Sequence, residues 1–108
     1  MRSLTVLGAL VLALVACTRV PVLPWQHERL AQGREVFVRH GCHGCHTIRA
    51  MGTPIAPDLS DIGARRSTAW LERWLRDPAA QQPLAHMPPI AMPADEAEAL
   101  AAWLATMR

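Results

Sequence analysis

Cys42-His43-Gly44-Cys45-His46 is the stretch on which the reading of this chain turns. Two thiols separated by two residues and followed at once by an imidazole form the covalent haem-attachment signature. At this spacing Cys42 and Cys45 can add to the two vinyl groups of one haem, and His46 then falls under the iron as its proximal ligand. Two other chemistries use a C-x-x-C pair. A thioredoxin-like dithiol needs a βαβ surround, and no convincing alternating strand is found past the first sixteen residues. A zinc site needs a second pair of ligands, and the chain's remaining cysteine is Cys17. Five residues alone also arise by chance, so the flanking sequence has to carry weight.

Upstream, Arg2 supplies a short positive region and Leu4 to Ala16 is a nearly unbroken apolar run. It is short for a bilayer span and fits a signal h-region. The run ends Leu14-Val15-Ala16-Cys17, which resembles the bacterial lipobox, whose cysteine is lipidated and becomes the mature N-terminus; an uncleaved anchor with an incidental cysteine is the alternative. Thr18 to Pro24 then reads as a tether reaching at most about 23 Å. The expected division is a signal peptide at 1–16, a lipidated Cys17 with tether at 17–28, and one domain at 29–108.

That domain of roughly 80 residues is too small to rest safely on apolar burial alone. Phe37 is the only Phe, Tyr is absent, and four Trp supply nearly all the aromatic bulk. Cys42 and Cys45 lie too close together to staple distant segments. Past residue 16, ten Arg face nine Asp and Glu, a net charge near +1. So weak a balance gives no support for nucleic-acid binding or strong electrostatic steering.

Downstream, the periodicity predicts helices and no sheet. Trp25 to His40 places Leu30, Gly33 and Phe37 on one face, with Gly41 to close it. Ser67 is an N-cap for Thr68 to Arg76, with Leu71, Trp74 and Leu75 as its apolar stripe and Pro78 as its stop. Asp95 with Glu98 predicts a capping-box start to a last helix, whose Leu100, Trp103, Leu104 and Met107 make a buried stripe. Trp70 and Trp74 read as core, Arg65 and Arg66 as solvated, and His40 and His43 as exposed. An electron-carrying haem commonly takes Met as second axial ligand. His86, Met87 and Met92 stand together before the last helix, whereas Met51 lies too near His46 to reach the opposite haem face.

Taken in order, Gly33 and Phe37, Cys42 to His46, Ala56-Pro57-Asp58-Leu59, Met87-Pro88-Pro89, then Leu100 and Trp103 resemble class I cytochrome c over residues 29 to 108. Cys45-His46-Thr47-Ile48-Arg49 and Trp74-Leu75-Arg76-Asp77-Pro78 are similar to haem domains fused to some terminal oxidases. The resemblance implies an all-α cytochrome c fold of three main helices, with long loops wrapped around one covalently bound haem c. It implies Met87 as distal ligand opposite His46, with Met92 as a core filler and His86 on the surface. It further implies that the Pro57 carbonyl accepts a hydrogen bond from the proximal imidazole, that Leu59 packs against the haem, and that Gly33 lets the first helix cross the last.

The expected function is electron transfer by one haem cycling between Fe(II) and Fe(III), without catalysis or a small-molecule substrate. Expected partners are redox proteins, a membrane oxidase or dehydrogenase complex, reached on the periplasmic side of a bacterial membrane. A haem subunit of a larger membrane redox complex is one alternative. A sensor or peroxidase with a labile distal ligand is another.

Overall fold

In the computed structural model, which describes residues 20–108, Pro24 opens the first helix, α1 (Pro24–Arg39). Its locked φ suits the first helical position, where an N–H would go unpaired anyway. The Leu23 N–H donates to Gln26 Oε1 at 2.8 Å and closes the first turn. At the far end Gly41 takes the left-handed conformation (φ 70°), and its N–H donates to the Val38 carbonyl at 3.1 Å. The helix thus sits one residue N-terminal of its expected place and reaches back into the stretch read as tether.

A single 3-10 turn, Cys42–Gly44, follows. Next comes a feature the sequence reading missed, an antiparallel pair of two-residue strands, β1 (Thr47–Ile48) and β2 (Met51–Gly52). Arg49 and Ala50 join them, both with positive φ, 49° and 64°. Such a two-residue connection matches the twist of the strands and normally advertises itself as Asn-Gly or Asp-Gly. Arg-Ala carries no such signal, so the expectation of no sheet was wrong for these four residues.

Three helices complete the middle of the chain. α2 (Ile62–Arg65) is a single turn, and α3 (Thr68–Arg76) starts where Ser67 Oγ accepts the Trp70 N–H at 3.1 Å. α3 stops before Pro78, but the chain turns helical again at once. Asp77 Oδ1 accepts the Ala80 N–H at 3.1 Å and caps α4 (Pro78–Gln81). The last helix, α5 (Ala94–Leu104), begins after Pro93 without a side-chain cap. The expected Asp95–Glu98 capping box does not form. Asp95 lies inside the first turn, and Glu98 turns away to Arg29 of α1 at 2.7 Å, a charge-assisted contact stronger than a neutral backbone one.

Packing centres on α5. α1 lies against one side of it and α3 against another. Val36, Leu71, Leu75, Leu100 and Leu104 are buried between them, each stabilising the fold by about 1.5–3 kcal/mol. Gly33 sits at the α1–α5 crossing. A Cβ there would lie 2.6 Å from Trp103 Cβ and inside van der Waals contact of the Ala99 carbonyl. The two backbones therefore touch as the sequence predicts. Phe37 and Trp103 extend the contact, ring centroids 5.3 Å apart at a 57° tilt. Gly63 of α2 ties in the C-terminus by donating to the Met107 carbonyl at 2.8 Å. No helix among the described residues is long and apolar enough to cross a membrane.

Candidate functional site

Because Gly41 turns the chain off α1, Cys42 remains against the core while Cys45 faces solvent. The His46 N–H donates to the Cys42 carbonyl at 3.0 Å, which winds the five residues into one tight turn. The two thiols are not joined in a disulfide. Burial pushes the Cys42 thiol above its ordinary range. An activated redox dithiol calls for the opposite shift. Among the described residues, no three of His, Cys, Asp and Glu converge to hold a metal ion.

His46 Nδ1 lies 2.7 Å from the Pro57 carbonyl oxygen. That oxygen only accepts, so Nδ1 carries the proton and the Nε2 lone pair is left for a metal. The loop around Pro57 is tied down by backbone bonds. Ile55 and Ala56 donate to the Cys45 carbonyl at 3.1 and 2.7 Å, and Leu59 donates to Thr47 at 2.8 Å. Asp58 adds side-chain bonds, accepting from Thr47 Oγ1 at 3.0 Å and Ser60 Oγ at 2.8 Å. The Ser60 hydroxyl, then that of Thr47, holds the Asp58 carboxyl below the usual carboxylate range. Neither Asp58 nor Thr47 has a role that periodicity or the haem-attachment motif would assign. A short acid followed two residues later by Ser was the available sign of a side-chain-closed turn.

Before the last helix, Met87 and Met92 both pack half-buried against the core, while His86 and, earlier in the chain, Met51 are exposed. Met87 is distinguished by a partner. The Trp74 indole N–H donates to Met87 Sδ at 3.1 Å. Trp74 was expected in the core; instead it is half-buried and stacked on Trp70, centroids 5.2 Å apart. An indole brings an N–H that needs an acceptor, which is the reason such a stripe position does more than fill space. Arg65 and Arg66 are exposed, as expected; the Arg66 guanidinium lies 4.3 Å from the Trp70 ring centroid, and Arg65 pairs with Asp61 at 3.0 Å. His40 is a further correction. It is half-buried, with Nε2 2.7 Å from Glu96 Oε2, and Arg39 binds the same carboxylate. These contacts, the His40 bond first, hold Glu96 below its ordinary range and fasten α1 to the start of α5. His43 is exposed.

The donor set fits a haem: two thiols, one imidazole with a free Nε2, and one positioned thioether. Cys42, Ile48, Leu59, Trp70, Met87 and Met92 pack on the core yet keep a side open to solvent. An apolar group covering these side chains would add burial that so small a domain lacks. The family model for cytochrome c matches residues 30–108.

The chain belongs to the cytochrome c family.

Covalently attached haem c is the cofactor of a cytochrome c, and haem-based electron transfer is its activity. The chain is also similar to "Cytochrome c oxidase subunit 2" of Alkalihalophilus pseudofirmus, 35% identical over 91 residues, 75% of this chain and 27% of the relative. The cytochrome c domain thus corresponds to about a quarter of that longer protein. The readings placed on residues 1–16 and on Cys17 lie outside the described residues.

Proposed function

We propose that this cytochrome c is a membrane-tethered periplasmic electron carrier that passes single electrons to a respiratory oxidase. Bound through Cys42 and Cys45, haem c supplies the one-electron iron couple. His46 is the proximal ligand, its ring angle and tautomer fixed by the Pro57 carbonyl, which also raises its basicity. Met87 would be the distal ligand, its sulfur positioned by the Trp74 indole N–H. The observation that carries this reading is that pair of contacts, His46–Pro57 and Met87–Trp74. Each orients one candidate donor atom, and a haem held by both would keep no position for a substrate. Such an arrangement favours an electron carrier over a sensor or peroxidase. The identity with an oxidase subunit favours an oxidase as acceptor. The apolar run before Cys17 favours export and lipidation, with Cys17 as the attachment point.

Chain matured in a haem-ligating bacterial host tests the reading in two parts. A carrier shows one covalent haem by mass, a low-spin ferric spectrum with the weak far-red sulfur-to-iron band, and no peroxidase turnover. In membranes, an acylated Cys17 peptide and restored oxygen uptake with a purified oxidase complete it. A colourless product with free thiols overturns the haem assignment. A high-spin ferric spectrum overturns the closed-site mechanism.

A further inference from the structure

Val20-Pro21-Val22-Leu23-Pro24-Trp25 is apolar throughout, yet it takes no part in the core. Val20 is 86% exposed, Val22 56%, Leu23 46% and Trp25 55%. An exposed run of this kind marks a surface that is covered in use. We propose that this segment is a bilayer-contact collar that docks the N-terminal end of α1 into the lipid headgroup region. This rests on the membrane-tethered reading above.

Three observations select lipid as the occupant. The segment begins three residues after Cys17, and three residues span about 11 Å at most. Whether Cys17 is acylated or the Leu4–Ala16 run stays in place as an anchor, Val20 to Trp25 is delivered to the membrane surface. No charge occurs from Val20 to Gln26, while Arg19 just before it suits anionic headgroups. The chemistry also fits the interface. Pro21 and Pro24 remove two backbone N–H donors that would otherwise need partners there, and Trp is favoured at this depth because its ring is apolar and its N–H stays wet. A collar at Trp25 has a geometric consequence. The 16 residues of α1 rise about 24 Å, and the Cys42–His46 turn lies at the opposite end. The electron-transfer face is thereby carried away from the lipid and toward a partner.

The test uses the full matured, haem-loaded chain in vesicles of phosphatidylethanolamine and phosphatidylglycerol. With Cys17 acylated and Cys42 and Cys45 in thioethers, Val22→Cys provides a single free thiol for a nitroxide label, and Glu35→Cys on the exposed far half of α1 serves as reference. Power saturation compares collisions with oxygen, which concentrates in lipid, and with a water-soluble nickel chelate. The expected oxygen-to-nickel ratio is several-fold higher at 22 than at 35, and Trp25→Gln lowers it without changing the haem spectrum. Equal ratios in membrane-bound protein overturn the collar and leave the tether standing. Spin–spin broadening at 22 that disappears on dilution with unlabelled chain overturns it in favour of a second copy. A chain that stays soluble with Cys17 unmodified overturns the tether itself, and the collar with it.

Discussion

At the α1–α5 crossing, Val36 and Leu100 are wholly shielded from solvent and Gly33 brings two backbones into contact. In the loops that carry the chemistry, Cys45, Pro57 and Asp58 are exposed and Met87 is half-buried. The crossing is held by packing, which is unforgiving of added volume. The loops are held by hydrogen bonds, His46 to Pro57, Trp74 to Met87, and Asp58 to Thr47 and Ser60. Rigid helices thus provide the platform, and directional bonds hold the atoms proposed as haem ligands. A redox site gains from this division, because a ligand atom can be tuned by one neighbour without disturbing the core.

The largest expected effect comes from breaking the packed half. Gly33→Val places its Cβ against the Ala99 carbonyl and Trp103, where the Ala99 backbone cannot step aside. Overpacking of this kind costs about 3 kcal/mol or more. Denaturant titration should show that loss with the haem spectrum of the surviving folded fraction unchanged. The two methionines sharpen the contrast. Met87→Ala should abolish the far-red sulfur-to-iron band. Met92→Ala should keep the band and lower stability by about 2 kcal/mol, the low end for a Met truncation because the site is half open. The opposite pattern would move the distal ligand to Met92.

Trp74→Phe keeps most of the apolar bulk and removes the donor to Met87. A hydrogen bond to the sulfur weakens its donation to ferric iron, so losing it should stabilise the oxidised state and lower the reduction potential. One hydrogen bond is worth about 1 kcal/mol, which for a one-electron couple is on the order of 40 mV. Redox titration beside a denaturant melt distinguishes tuning from a packing defect, which would move stability and leave the potential in place.

This division also explains what the sequence disclosed. α1, α3 and α5 were legible because apolar spacing, a Ser cap and Gly41 report on packing and helix ends. The haem-attachment turn was legible because its chemistry needs adjacent residues. The hairpin was not, since Arg49 and Ala50 adopt positive φ without Gly or Asn to announce it. Nor were the Trp74–Met87, His40–Glu96 and Arg29–Glu98 contacts, which join residues 13, 56 and 69 positions apart and exist only once the helices have packed. Ala50→Gly tests the first of these omissions. With φ at 64° the native backbone suits glycine better, and relief of the left-handed penalty should stabilise the domain by about 1 kcal/mol.

Acid should weaken the loop that Asp58 ties down. The bonds from Ser60 and Thr47 favour the ionised form of Asp58 and depress its pKa in the folded state. The unfolded chain therefore takes up the proton first as pH falls. Asp58 contributes its full stabilisation above the ordinary carboxylate range, near 3.9, and loses it as the pH drops through that value toward the lower folded one. Asp58→Asn should consequently melt below the parent at pH 7, with the two melting temperatures converging as the pH is taken from about 4 toward 2. A gap that stays constant over that range would mean that the loop is held by shape, with the carboxylate charge contributing nothing to the position of Pro57.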